Sequence, residues 1–463
     1  MSSPGRVALV LHTHMPYVEG YGTWPFGEEW LWEAVATSYL PLLELLDAGA
    51  PLTLSVTPVL CDQLEAPGAM DRCAAFLREV RSASHRLDIE GSRASGRPDL
   101  AAELERAALE YDAALAQLEA IGRDVVGLLH RHAAWTSSAT HAVLPLVATD
   151  AGVRLQLHAG IASHRARFGE EWSGGFWLPE CAHAAWLDPL LEEAGVHATC
   201  VELTDVFGRG DARHLTPLRS PAGPLLVPLD RALTDLVWGR GGYPAGGAYR
   251  DYHHRTTHDH HPWANDGEVY DDARASAQAR TDAADFAARC AARVRDGGLC
   301  VLAFDTELFG HWWHEGPRFL GAFVEEAERT GLELVHLDAA LAEAPTAPLP
   351  GDWPHVTTWG EPRTLHTWSN PRVAEIADAQ RAAELRVVAA GRAAGERAVR
   401  ELLAVQASDW AFLMTRELAG DYPLKRFRGH LAALDGALGA VPSPDPQVRN
   451  LAPRLSIAPL LEP

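Results

Sequence analysis

The segment Val7-Ala8-Leu9-Val10-Leu11-His12-Thr13-His14 decides how this chain is organised. Its five apolar residues predict a short buried β-strand, and two histidines follow that strand directly. Successive side chains of a strand point to opposite faces, so His12 and His14 lie on the same face. An apolar strand that ends in chemically active side chains is a pattern that recurs along the sequence.

Short apolar runs alternate with helical patterns up to about residue 343. The predicted strands are Val7–Leu11, Leu52–Leu60, Val125–Leu129, Gly175–Leu178, Ala198–Leu203, Leu225–Leu229, Leu299–Phe304 and Leu332–Leu337. The predicted helices are Trp30–Leu46, Asp71–Leu87, Leu100–Ile121, Ala283–Arg295 and Arg318–Thr330, with a loop at Glu90–Pro98. This alternation implies parallel strands with right-handed crossovers. So many strands favour a closed α/β barrel over an open sheet.

The composition changes after Glu343, where four prolines fall between Ala344 and Pro354. Beyond Pro371 the chain is rich in Ala, Arg and Glu and has helical periodicity. We therefore predict an α/β barrel domain at residues 1–343, with a helical insertion near 61–122. A C-terminal helical domain at 344–463 follows and contributes tryptophans to the cleft.

The composition also limits the partners of the protein. The 463 residues include 62 acidic and 40 basic ones, a formal charge of −22, which argues against nucleic acid and anionic membranes as partners. No run of apolar residues is long enough to span a bilayer, and the first residues lack a signal-peptide pattern. Six dispersed cysteines without a C-x-x-C pair predict free thiols and a cytoplasmic protein. Fifteen tryptophans favour a carbohydrate ligand, because their flat faces suit sugar rings.

Polar side chains at the predicted strand ends allow two interpretations of the chemistry. The first is a pair of carboxylates that cleaves a glycosidic bond, one ionised and one protonated. Glu180 and Asp305 are the best pair, since each directly follows an apolar strand. Glu307 is predicted to point to the other side of an extended chain.

The second interpretation is a metal-dependent hydrolase whose ligands begin with His12 and His14. His141, His183 and Asp305 are the residues that would complete its ligand set. The cluster His258-Asp259-His260-His261 is instead predicted to be a solvated loop, because no strand or helix pattern surrounds it. The excess of tryptophan favours sugar over metal for His12 and His14.

Several motifs resemble glycoside hydrolase family 57, and in particular its 1,4-α-glucan branching enzymes. Three carry most of the resemblance: His12-Thr13-His14-Met15-Pro16-Tyr17, Gly175-Phe176-Trp177-Leu178-Pro179-Glu180-Cys181-Ala182 and Ala303-Phe304-Asp305-Thr306-Glu307-Leu308-Phe309-Gly310-His311-Trp312-Trp313. Further elements keep the family order: Trp24-Pro25-Phe26-Gly27-Glu28-Glu29-Trp30, Ala139-Thr140-His141, Val237-Trp238, Gly242-Tyr243-Pro244, Thr358-Trp359-Gly360, Trp368 and Ser408-Asp409-Trp410.

The resemblance implies a seven-stranded (β/α) barrel and a retaining mechanism without metal or organic cofactor. It implies that Glu180 is the nucleophile and Asp305 the general acid and base. The substrate would be an α-1,4-glucan such as amylose or a glycogen-like polymer. The residues that the resemblance assigns to substrate binding are His12, His14, Trp24, His141, Trp238, His311, Trp359, Trp368, Asp409 and Trp410.

One segment departs from the branching enzymes, which carry a long loop tipped with a tyrosine over the catalytic centre. The matching segment here, Thr204–Pro217, is short and has no tyrosine. Phe207 is the residue that would cover some of the same space. The departure leaves open an α-amylase-like hydrolase with little transfer, and a glucan-binding protein without useful catalysis.

Overall fold

The computed structural model describes residues 5–23, 26–350, 356–439 and 445–461. Its ten strands within these ranges are β1 (Arg6–Thr13), β2 (Thr53–Val56), β3 (Ala133–Ser137), β4 (Phe176–Trp177), β5 (Ala198–Val201), β6 (Leu218–Arg219), β7 (Leu225–Pro228), β8 (Leu299–Asp305), β9 (Glu333–Leu334) and β10 (Ala347–Pro348). Among the described residues, no helix is long and apolar enough to cross a membrane.

Seven parallel strands of this set form a ring. β4, β3, β2, β1 and β8 are hydrogen-bonded in that order, and β5 pairs with β7 in a second sheet. Two single parallel bridges join the sheets: Gly175 with Ala198, and Leu229 with Val301. The ring is therefore a distorted (β/α)7 barrel, as the sequence predicts. The short strands β6, β9 and β10 lie at its edges.

The interior of the barrel is filled by alternate residues of its strands. Ala8 and Val10 of β1 pack with Trp135, Val227 and Val301 inside the ring. The intervening residues of β1, from Val7 to Leu11, pack beneath the outer helices. This period of two places His12 on the inward face, directly after the apolar residues.

Helices surround the barrel and form a helical C-terminal region. Those of the barrel part are Glu28–Ala34, Leu40–Asp47, Pro58–Leu64, Ala69–Ala75, Ser82–Ala94, Pro98–Ala120, Val125–Leu129, Asp150–Phe168, Asp188–Glu193, Thr204–Phe207, Arg231–Trp238, Asp272–Arg293, Gly316–Thr330 and Leu337–Glu343. π-helical turns at Val35–Tyr39 and Phe76–Arg81 connect neighbouring helices. The C-terminal helices are Ala374–Ala390, Gly395–Val405, Asp409–Arg416 and Tyr422–Ala437. The domain boundary at 343/344 stays a prediction.

Two local predictions are wrong. Residues Val125–Leu129 form a helix, because the Asp124 side chain accepts a hydrogen bond from the Gly127 N–H and so caps a helical turn. The strand there begins only at Ala133. The predicted loop at Glu90–Pro98 continues the preceding helix to Ala94. A short apolar run does not distinguish a strand from a buried helix.

Candidate active site

The carboxyl ends of the barrel strands open into a cavity of about 700 Å³. His12 at the end of β1 lies directly beside Asp305 at the end of β8, since the two residues are partners in the strand register. Glu180 follows β4 and also lines the cavity. The parallel order of the strands thus brings together the two carboxylates that the sequence placed 125 residues apart.

Three histidines form one wall of the cavity. His12 Nε2 lies 3.0 Å from His141 Nε2, and the outer nitrogens of the pair contact Ser55 Oγ at 3.3 Å and Ser408 Oγ at 2.8 Å. Burial holds the pKa of both rings well below the ordinary value for histidine. Both rings are therefore neutral at pH 7, and each can donate one hydrogen bond and accept another.

His14 is held differently from the other two histidines. Its Nε2 lies 3.0 Å from Asp409 Oδ1, and its Nδ1 lies 3.2 Å from Thr57 Oγ1. Burial by itself lowers the pKa of His14, but the Asp409 carboxylate outweighs it and the net pKa is raised. His14 stacks on His141 with ring centroids 4.0 Å apart, so the positive charge of His14 helps to keep His141 neutral.

Glu180 occupies a left-handed backbone conformation, with φ 63° and ψ 21°. A non-glycine residue adopts this conformation only where the surroundings enforce it. Here the Glu180 carbonyl accepts hydrogen bonds from Thr358 Oγ1 at 2.7 Å and from the Trp359 N–H at 3.1 Å. The indole Nε1–H of Trp359 donates to Glu180 Oε2 at 3.0 Å. The segment around Trp359 therefore fixes both the backbone and the carboxylate of Glu180.

Glu307 lines the same cavity as Glu180 and Asp305, contrary to its predicted orientation. Thr306–Leu308 form a single 3₁₀ turn directly after Asp305. The predicted orientation also conflicts with strand geometry, because residues two apart on an extended strand share a face. Glu307 Oε1 accepts hydrogen bonds from Tyr39 Oη at 2.6 Å and from the His14 N–H at 3.1 Å. The site thus contains a third buried carboxylate.

The three carboxyl groups have raised pKa values. Burial raises the pKa of Glu180 to about 7, although the hydrogen bond from Trp359 opposes this rise. Burial also raises the pKa of Glu307 to about 7. The pKa of Asp305 is raised well above its ordinary value by burial, then by the charges of Glu307 and Glu180. Perturbed carboxyl groups that share a cavity are characteristic of acid and base catalysis.

The remaining predicted binding residues fall into three groups. Trp238 and Trp359 line the catalytic cavity, whereas His311 lines a neighbouring one.

Trp410 is fully buried among the C-terminal helices and donates its Nε1–H to the Ala404 carbonyl at 2.7 Å. Trp368 belongs to the same buried cluster, only 3% exposed. Both rings are thus held by packing, and their role in substrate binding stays a prediction. Trp24 lies outside the described residues.

Sequence reasoning missed several cavity residues that come from other parts of the chain. Arg209, Arg231, Asp235 and Glu361 contribute charged side chains to the wall. Arg231 binds Asp235 at 2.7 Å and lies 3.4 Å from Glu361, so these charges are paired. Arg231 and Asp235 are four residues apart on one helix, a spacing that predicts an ion pair. No local pattern indicates that this pair reaches the cavity.

The proposed lid residue Phe207 does not cover the catalytic centre. Phe207 is 6% exposed and packs with Val201, Leu203, Leu218 and Leu226 in a buried cluster, and it is not among the residues that line the cavity. Arg209, two residues later, is the member of the segment that reaches the cavity wall. The expected covering of the site by Phe207 is therefore wrong.

Only some of the predicted metal ligands lie close together in the structure. Among the described residues, His14, His141 and Asp409 have ligand atoms within 4.8 Å of one another. His183 is not part of this group, since its buried ring binds Asp188 at 2.7 Å.

The cluster at 258–261 is not the solvated loop that the sequence predicts. His260 is buried against His85 with ring centroids 3.6 Å apart, and His258 binds Asp88 at 2.6 Å.

Comparison with known proteins places this geometry in a family. The profile of glycosyl hydrolase family 57 matches residues 133–348, and that of the 1,4-alpha-glucan branching enzyme C-terminal region matches residues 368–453. A 1,4-alpha-glucan branching enzyme of Thermococcus kodakarensis is 30% identical over 92% of this chain and 72% of its own length. A probable 1,4-alpha-glucan branching enzyme of Mycobacterium tuberculosis is 29% identical over 94% of this chain and 93% of its own.

A solved structure supports the same family. The crystal structure of a branching enzyme of this family from Pyrococcus horikoshii superposes with a TM-score of 0.89 at 28% identity, covering 99% of this chain and 97% of the other. The barrel, the buried carboxylates at its strand ends and these relatives together identify a glycoside hydrolase. This chain belongs to glycosyl hydrolase family 57.

Proposed function

We propose that this chain is a 1,4-alpha-glucan branching enzyme that cleaves an α-1,4 bond and transfers the released chain to a 6-hydroxyl with retention of configuration. One observation carries the proposal: Glu180 and Asp305 line one cavity, and Trp359 holds Glu180 Oε2 at 3.0 Å. The names of the relatives support the choice of branching within the family.

The proposed reaction has two steps. Glu180 attacks the anomeric carbon while Asp305 gives its proton to the departing glycosidic oxygen, so one C–O bond forms as the other breaks. Asp305, now ionised, takes the proton of an incoming 6-hydroxyl. That oxygen attacks the anomeric carbon and releases Glu180 as a carboxylate.

The electrostatics support this division of roles. Burial and the charges of Glu307 and Glu180 raise the pKa of Asp305 and so favour its protonated form, as a general acid requires. The pKa of Glu180 is raised to about 7, and the hydrogen bond from Trp359 favours its ionised form, as a nucleophile requires. The neutral rings of His12 and His141 can both donate and accept, which suits sugar hydroxyls. We assign His12, His14, His141 and Asp409 to sugar binding, and Trp238 and Trp359 to stacking on sugar rings.

We also propose that the substrate is an α-1,4-glucan and that the enzyme serves glycogen-like glucan metabolism in the cytoplasm. The six cysteines are buried free thiols, which suits a reducing compartment. The competing function within the family is an α-amylase-like hydrolase. The observation that favours it is the short 204–217 segment, which has no tyrosine and whose Phe207 is buried in an apolar cluster and does not line the cavity.

The first test is to incubate the protein with amylose and measure products by proton NMR and a reducing-end assay. New α-1,6 signals in excess of new reducing ends support branching, and reducing ends alone indicate the hydrolase. Glu180→Gln and Asp305→Asn should each reduce the rate by several powers of ten. The exposed carboxylates Glu325 and Asp296 provide matched controls, Glu325→Gln and Asp296→Asn, which should retain wild-type rates. Wild-type rates in either active-site variant would contradict the assignment.

Binding of amylose without turnover, unchanged in Glu180→Gln, would instead indicate a glucan-binding protein. Activity that a chelator abolishes and added metal restores would support a metal site at His14, His141 and Asp409.

A further inference from the structure

A second cavity of about 610 Å³ adjoins the catalytic cavity. The two share four wall residues: Trp30, Trp312, Leu413 and Leu418. The segment that follows Asp305 runs from one cavity to the other. Glu307 lines the first cavity, Trp312 lines both, and His311 lines only the second. A chain-like ligand that enters past Trp312 therefore has a continuous path to Asp305.

The arginines of the second cavity are all paired. Arg81 binds Glu33, Arg250 binds Glu103 at 2.9 Å, and Arg255 binds Asp259 at 2.9 Å. A cavity whose cations are already neutralised offers little to a phosphate or carboxylate ligand. Its volume falls within the range of small-molecule sites, about 300–1,000 Å³. A neutral ligand fits these walls best.

The remaining walls suit a sugar. Tyr252 stacks parallel to His261, with ring centroids 5.6 Å apart and an 8° angle between planes, and its edge meets His311 at 6.3 Å. Burial lowers the pKa of His261 and of His311 to about 4, so both are neutral donors and acceptors. Trp312 is 38% exposed and lines both cavities at their junction. Aromatic faces beside neutral hydrogen-bonding groups are the elements that hold polyhydroxylated rings.

The reaction itself dictates where an acceptor binds. Asp305 protonates the departing oxygen and later deprotonates the attacking hydroxyl, so both approach from the same side of the anomeric carbon. The second cavity is the space that continues from Asp305 along residues 307–312. We propose that it binds the acceptor chain, a neutral α-1,4-linked glucan whose 6-hydroxyl reaches the glycosyl-enzyme. This inference rests on the branching activity proposed above.

The experiment uses α-maltosyl fluoride as donor and maltohexaose as acceptor, with the full-length protein. Fluoride release reports total turnover, and chromatography separates the transfer product from hydrolysed maltose. In Tyr252→Ala, we expect the ratio of transfer to hydrolysis to fall about tenfold, with a higher acceptor concentration for half-maximal transfer, because a stacking surface is lost.

Arg255→Ala guards against a folding artefact. The Arg255 side chain is 44% exposed and lies over the Tyr252 ring at 5.6 Å, so its removal disturbs the wall without opening the core. It should lower the same ratio in the same direction. The exposed Trp186, 47% accessible and outside both cavities, provides the matched control Trp186→Ala, which should keep the wild-type ratio.

The outcomes are distinguishable. A wild-type protein that hydrolyses the fluoride and transfers to no acceptor contradicts the branching activity itself. A wild-type protein that transfers, with Tyr252→Ala and Arg255→Ala both at the wild-type ratio, overturns only the acceptor site.

Discussion

Replacing Trp359 by Phe removes one hydrogen bond from the proposed nucleophile and keeps an aromatic ring in place. The bond runs from Trp359 Nε1–H to Glu180 Oε2 at 3.0 Å, in a cavity where Glu180 is otherwise desolvated. The indole donor stabilises the ionised form of Glu180 and therefore opposes the effect of burial on its pKa. Without the donor, the pKa of Glu180 should rise further.

The size of the effect follows from the strength of such bonds. A hydrogen bond to a charged group contributes about 1.5–3 kcal/mol, and one pKa unit corresponds to about 1.4 kcal/mol. In a plot of kcat/KM against pH, the fall of the rate on the acidic side should thus shift to higher pH by about one to two units. With a starting pKa of about 7, half of Glu180 is ionised at pH 7 in the wild type. The rate at pH 7 should fall about 5- to 50-fold, and the loss should shrink as the pH rises.

The assay is kcat/KM for α-maltosyl fluoride between pH 5 and 9. Fluoride leaves without protonation, so the rate reports Glu180 rather than Asp305. Trp186→Phe is the matched control at an exposed tryptophan, and thermal unfolding of each variant checks the fold. A uniform loss at every pH, with the acid limb unmoved, would refute the reasoning and show that Trp359 acts through shape alone.

Two further predictions concern neighbouring groups. Glu307→Gln keeps an acceptor for Tyr39 Oη and the His14 N–H but removes a negative charge that raises the pKa of Asp305. Asp305 should then lose its proton at lower pH, so the alkaline limb on amylose should move down by about one pH unit; an unmoved limb would contradict this coupling. Trp410→Ala should lower the free energy of unfolding by about 3–5 kcal/mol in denaturant titrations, because its ring is fully buried. Wild-type stability with weakened glucan binding would instead make Trp410 a sugar platform.

Much of the site was predictable because parallel strands repeat one simple rule. Polar residues that follow apolar runs gather at the same edge of the barrel, and this alone unites His12, Glu180 and Asp305. The resemblance to the family added the roles of these residues and the number of strands. Residues 7–11 are all apolar, so the sequence did not show which face of β1 points inward. The structure places Ala8 and Val10 inside the ring and the intervening residues under the helices.

Other features depended on backbone turns and on contacts between distant segments. Glu307 enters the cavity from a 3₁₀ turn that follows Asp305, and contacts with Tyr39 and the His14 N–H hold its carboxylate there. Trp359 meets Glu180 across 179 positions of sequence, as the hydrogen bond between them records. Local periodicity carries no information about such pairs.

The sequence by itself therefore predicted the barrel class, the edge of the barrel where polar residues gather, and Glu180 and Asp305 as the two carboxylates that lie there. Only the tertiary structure decided that Glu307 joins them, that Phe207 turns into the core and that Trp368 and Trp410 are buried. It also decided that His260 packs against His85. The physical reason is that strand patterns follow from the burial of neighbouring residues, whereas these orientations depend on turns and on packing between segments far apart in the chain.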